Sequence, residues 1–98
     1  IKNTKTHTCV VAFLKQTHFW VVISVKDEKL LKRFGENLRN IRLSRELTQE
    51  QLAFNADIAI SQIGRIERGE INATISTVSA LANALEIEIN DLFNFKKN

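Results

Sequence analysis

Leu47-Thr48-Gln49-Glu50-Gln51-Leu52-Ala53, followed by Ile60-Ser61-Gln62-Ile63-Gly64-Arg65-Ile66-Glu67-Arg68-Gly69, is the stretch whose reading decides the fold. Thr48 with Gln51 three residues on has the form of a capping box, which opens a helix by satisfying backbone N–H groups at its start. Leu52 and Ala53 then supply an inward face, and Asn55-Ala56-Asp57 ends this short helix. Ile60, Ile63 and Ile66 recur at helical spacing, and the series stops at Gly69, a residue that tolerates the positive φ of a helix terminus. Two short amphipathic helices joined by a tight connection are therefore expected.

Outward from this pair, the helical period continues on both sides. Asp27 is a candidate N-cap for a helix carrying Leu30, Leu31, Phe34, Leu38 and Ile41. Thr74 is a candidate cap for a fourth helix with Ile75, Val78, Leu81, Ala82 and Leu85, and Ile89, Leu92 and Phe93 predict one or two final turns. The expected fold class is all-α, with five short helices from about Leu30 to Phe93.

Residues 1–29 differ in character. Residues 8–14 and 19–25 are rich in β-branched and aromatic side chains, separated by Lys15-Gln16-Thr17-His18, and read as a β-hairpin without a favoured turn sequence. Such a hairpin needs a second surface or a partner chain. The chain starts at Ile1 and contains no Met, so the alternative is that residues 1–29 are a stretch appended to the functional domain. The expected division is thus 1–29 as an N-terminal extension and 30–98 as the helical domain.

Ninety-eight residues with 44% hydrophobic and 26% charged side chains suit one small domain with a modest core. Lys15, Gln16 and His18 interrupt the apolar stretch from Thr8 to Val25, short of the ~18 continuous apolar residues a membrane span needs. No secretory signal is matched well. The single Cys9 cannot form an internal disulfide, in agreement with a cytoplasmic setting. The formal charge is +3, but five Lys face two acidic residues in 1–29, while residues 30–98 hold nine basic and nine acidic side chains. Clustering of basic groups on one face, not net charge, then decides whether an anionic partner is bound. His7, Cys9 and His18 fall short of a closed zinc site, and Cys9 with a His lacks any oxyanion-stabilising motif. Without a Gly-rich phosphate loop or carboxylate cluster either, no metal, cofactor or catalytic residue is expected, and an enzyme is disfavoured.

A helix, a tight connection and a second amphipathic helix form the helix-turn-helix arrangement, in which the second helix enters the DNA major groove. The two quoted stretches, together with Leu81-Ala82-Asn83-Ala84-Leu85, closely resemble the Cro/XRE family of phage-repressor-like regulators over roughly Phe34 to Phe93. The resemblance implies a sequence-specific, double-stranded DNA-binding transcriptional regulator with a recognition helix at about Ile60–Arg68. It implies that Gln49 binds backbone phosphate or braces a recognition side chain, and that Ile60, Ser61, Gln62 and Arg65 face the bases. Gln suits adenine and Arg suits guanine, each pair contributing ~1–3 kcal/mol of discrimination. Arg39, Arg45 and Arg68 are candidates for phosphate contacts, which position without reading sequence. Arg42 and Glu67 match a family salt bridge between the first helix and the end of the recognition helix. Gly64 is a departure, read as removing a side chain from the outward surface of that helix.

The resemblance also implies a homodimer on a palindromic operator, with Ile87, Ile89, Leu92, Phe93 and Phe95 as candidate interface residues; closure of the core is the other reading of this apolar tail. Two rivals remain open on sequence. One is an antitoxin or restriction-modification controller built on the same domain. The other is a protein-interaction module that has lost DNA binding and recruits a partner by β-addition.

Overall fold

A computed structural model describes residues 26–95 of the chain. It contains five helices: α1 (Glu28–Ser44), α2 (Gln49–Ala56), α3 (Ile60–Glu67), α4 (Ile75–Leu85) and α5 (Ile89–Leu92). The hairpin expected within residues 1–29, and His7, Cys9 and His18 with it, lie outside the described residues.

The local signals act where the sequence puts them. The Asp27 carboxylate accepts from the Leu30 N–H at 3.1 Å, so α1 opens at Glu28. Thr48 and Gln51 close the capping box reciprocally, at 3.0 and 2.8 Å. The Thr74 hydroxyl accepts from the Thr77 N–H at 3.1 Å. Each satisfied donor contributes roughly 1 kcal/mol relative to Ala. A further box, with Asp91 accepting from the Glu88 N–H at 3.2 Å, allows α5 to form in a single turn.

The exits share one design. α1, α2, α3 and α4 each end in a residue of positive φ, namely Glu46 (58°), Asp57 (58°), Gly69 (72°) and Glu86 (59°). The next N–H reaches back five residues to a helix carbonyl: Leu47 to Arg42, Ile58 to Ala53, Glu70 to Arg65 and Ile87 to Ala82, all within 3.1 Å. This is the Schellman motif, which satisfies carbonyls that the helix itself leaves unpaired.

The core is built from Phe34 and Leu38 of α1, Leu52, Ala53 and Ala56 of α2, Ile63 and Ile66 of α3, Val78, Leu81, Ala82 and Leu85 of α4, and Leu92 of α5. α3 packs on α1 and α2, α4 on α2 and α5, and α5 on α1. The Asn37 amide donates to the carbonyls of Asp91 and Leu92 at 3.0 and 2.8 Å, fixing the end of α5 to α1. Ile75, at the first position of α4, is 84% exposed. One expectation is corrected. Leu92, read as an interface residue, is 0% exposed: it is the inward residue of α5 and closes the core.

At Gly35 the backbone of α1 lies directly against the end of α3. A Cβ there would strike the backbone carbonyl oxygens of Ile66 and Glu67, the latter at 2.5 Å. In a free helix Gly→Ala gains up to ~1 kcal/mol. Here the obstacle is backbone at the end of α3 and cannot rotate away. Gly35→Ala is therefore expected to lose about 1–3 kcal/mol of stability, as an overpacked core site does, measured as a lower urea midpoint with an unchanged m-value.

Candidate nucleic-acid interface

The site is organised by an ion pair between α1 and the end of α3. Arg42 Nε donates to Glu67 Oε2 at 2.6 Å and Nη2 donates to Oε1 at 3.0 Å, a two-pronged contact with side chains 7% and 3% exposed. Arg42 Nη1 donates to the Leu47 carbonyl at 2.8 Å, which holds the turn into α2. Glu67 Oε1 also accepts from Gln49 Nε2 at 2.9 Å. Because an ionised carboxylate only accepts, this bond fixes the Gln49 amide with its nitrogen toward Glu67 and its oxygen away. The start of α2 is thereby locked to the end of α3. Gln49 is half-buried, and its side-chain partner is Glu67 of the architectural pair.

The outer face of α3 presents Ile60, Ser61, Arg65 and Arg68. Ser61, Arg65 and Arg68 fall at i, i+4 and i+7, so they share one side of the helix. Ser61 is exposed, Ile60 is 45% exposed and Gln62 is half-buried. Gly64 does not lie on the open surface as expected. It is buried, and a Cβ there would come within 3.1 Å of Arg68 Nη1 and 3.8 Å of Gln49 Oε1. Its missing side chain gives the Arg68 guanidinium room to lie across the helix beside Gln49.

Glu70 completes the cluster, and sequence reasoning did not single it out. Its carboxylate accepts from Arg68 Nε at 2.7 Å and Nη2 at 3.3 Å, and lies 3.9 Å from Arg65 Nε. The Arg68 hydrogen bond holds the Glu70 carboxyl below its usual range; desolvation opposes this, and the charges of Arg68, Arg65 and Lys32 add to it. The same bond raises Arg68. The order Arg65, Arg68, Gly69, Glu70 was the available signal, since Gly69 turns the chain back toward the arginines. Arg39 and Arg45 are exposed but stand elsewhere: Arg39 on α1, and Arg45 on a shallow groove with Leu47, Asn55, Ala84, Leu85 and Glu86. Among the tail residues, Ile89 and Phe93 are 41% and 44% exposed, while Ile87 and Phe95 are half-buried.

Residues 38–92 match the HTH_3 Helix-turn-helix family. The chain belongs to this family. It is 38% identical over 63 residues to the control protein C.BamHI of Bacillus amyloliquefaciens, covering 63% of this chain and 78% of that one. It is 42% identical over 55 residues to the immunity repressor protein of Bacillus phage phi105, covering 56% of this chain but 38% of the repressor. Among solved structures, the restriction-modification controller C.AhdI of Aeromonas hydrophila superposes with a TM-score of 0.64 at 41% identity, over 64% of this chain and 96% of that one. As an HTH_3 protein of the Cro/XRE type, the chain is a DNA-binding transcriptional regulator, and the relatives it matches are regulatory proteins. No helix among the described residues is long and apolar enough to cross a membrane.

Arg42 is buried and makes three hydrogen bonds, so truncating it strands the Glu67 carboxylate. Arg42→Ala is expected to cost about 3–5 kcal/mol, read from denaturant unfolding. A loss below ~1 kcal/mol would mean that water replaces the guanidinium.

Proposed function

We propose that this chain is a homodimeric operator-binding regulator, non-enzymatic and cytoplasmic, whose helix α3 reads base edges in the major groove. The single observation that carries the reading is the exposed face of α3, where Ser61, Arg65 and Arg68 stand together at helical spacing. Gln62 and Arg65 are the base readers, with donor and acceptor groups suited to adenine and guanine. Ile60 meets a thymine methyl or a sugar. Gln49 and Arg68 contact phosphate, with Arg39 and Arg45 as outlying phosphate contacts. Ile89, Phe93 and Phe95, flanked by Ile87, supply the apolar face on which a second copy docks, placing two α3 helices one helical turn of DNA apart on a palindrome.

Within this class, a restriction-modification controller is the second reading: the match takes in 96% of C.AhdI at 41% identity and 78% of C.BamHI at 38%.

Selection from a random duplex library at fixed salt tests the reading, because enrichment of one palindrome is the expected result and no enrichment would overturn it. The same assay separates the roles of individual residues. Gln62→Ala and Arg65→Ala should each relax preference at a particular base step by about 1–3 kcal/mol. Arg68→Ala should weaken binding evenly across sequences and reduce the salt slope by about 1.

A further inference from the structure

Four helices of this fold end in the same backbone motif, and the residue that follows the left-handed position distinguishes one of them. After α1, α2 and α4 that residue is Leu47, Ile58 or Ile87, each packed against the core. This is the apolar contact that ordinarily accompanies the motif. After α3 it is Glu70, an exposed acid whose carboxylate turns back to the arginines of the outer face. The contact to Arg68 uses two guanidinium nitrogens, at 2.7 and 3.3 Å, and Arg65 stands 3.9 Å away. A carboxylate and a phosphate engage a guanidinium fork in the same way, through paired oxygens on adjacent N–H groups.

We propose that Glu70 is an internal substitute for a DNA phosphate, which occupies the Arg68 fork in the free protein and lowers the affinity of the domain for DNA. Any duplex that uses Arg68 must first displace this carboxylate. A random-sequence duplex and an operator both present phosphates to Arg68, so the same displacement cost falls on each. Glu70 therefore sets how tightly the domain holds DNA of any sequence. The inference rests on the reading that α3 faces DNA, and it adds an affinity determinant that touches no base.

The geometry allows a clean test, since the backbone of Glu70 is held independently of its side chain. Its N–H donates to the Arg65 carbonyl at 2.9 Å and its carbonyl accepts from Lys26 Nζ at 3.1 Å. Glu70→Gln and Glu70→Ala should then keep the turn and the unfolding midpoint of the full chain. Fluorescence anisotropy on a random-sequence duplex and on the selected operator, from 50 to 200 mM salt, gives the readout. Both variants should bind the random duplex and the operator more tightly, by a common factor of about 1.5 to 5, the range that an exposed ion pair supplies. The specificity ratio and the salt slope should stay as in the wild type, because Arg68 meets phosphate in both. In an Arg68→Ala background the Glu70 substitutions should lose most of this gain. Unchanged affinity for both duplexes in the variants would overturn the proposal alone. Weaker binding to both duplexes would overturn it in favour of Glu70 as a positioning residue for Arg68. A wild-type chain that binds neither duplex would remove the proposal together with the reading beneath it.

Discussion

The Arg42–Glu67 pair is the contact on which the rest of the structure depends, because it joins parts that hydrophobic packing alone leaves free to slide. Leu38, Leu52, Ile63 and Ile66 exclude water from the space between α1, α2 and α3, and each buried side chain of this size stabilises by roughly 1.5–3 kcal/mol. Such contacts are non-directional, and they do not set the rotation of α3 about its own axis. The two-pronged guanidinium contact does, as it requires both Glu67 oxygens in one plane with Arg42. Arg42 directs a third N–H to the Leu47 carbonyl, and Glu67 accepts a further bond from Gln49. One buried pair thus fixes α1, the turn into α2, the first residue of α2 and the end of α3.

That fixation works because α1 and α3 approach unusually closely at Gly35. The carbonyl oxygens of Ile66 and Glu67 occupy the space where a Cβ would be, so the two backbones are in contact with no side chain between them. A wider separation would move Glu67 away from Arg42 and leave two charges buried with poor geometry, a costly arrangement. Gly69 repeats the constraint one turn later. Its positive φ of 72° turns the chain away, and a Cβ there would meet the Lys32 backbone and side chain. The end of α3 is consequently pressed along α1 from Lys32 to Gly35, and Glu70 leaves this junction aimed at Arg68.

How much of this was legible in the sequence follows from the range over which each signal acts. The helices and their starts were readable because Asp27, Thr48 and Thr74 act on backbone three residues away, and because isoleucine and leucine spacing reports which side faces inward. The left-handed exits at Glu46 and Glu86 were not, since Glu carries no preference for positive φ and is held there by the Leu47 and Ile87 bonds that follow. Leu92 was misplaced for a related reason. Periodicity assigns a residue to a stripe, but in the single turn of α5 there is too little helix to show which apolar residue points in. In the site, the ion pair followed from the family resemblance, on which the readers proposed for α3 also rest. The roles of Gly64 and Glu70 depend on where Arg68 lies in three dimensions, which spacing along the chain does not reveal.

The same rigid junction connects the two ends of the proposed regulator. Phe93 sits 5.0 Å from Phe34 between ring centroids, and Asn37 holds the carbonyls of Asp91 and Leu92, so α5 is seated on α1 over one helical turn. Gly35 and Leu38, in that same stretch of α1, meet α3 and the core, with Arg42 following one turn later. A second copy docked on Ile89 and Phe93 would therefore orient α3 through two contacts in series, α5 on α1 and α1 on α3, neither of which includes a mobile loop. For a reader of paired half-sites this matters more than the strength of the dimer, because the spacing and angle of the two recognition helices are set by the least rigid element between them. With the domain electrically balanced, nine basic against nine acidic side chains in residues 30–98, net attraction to DNA cannot make up for a misplaced helix. Geometry has to carry the selectivity, and the buried pair is what holds the geometry.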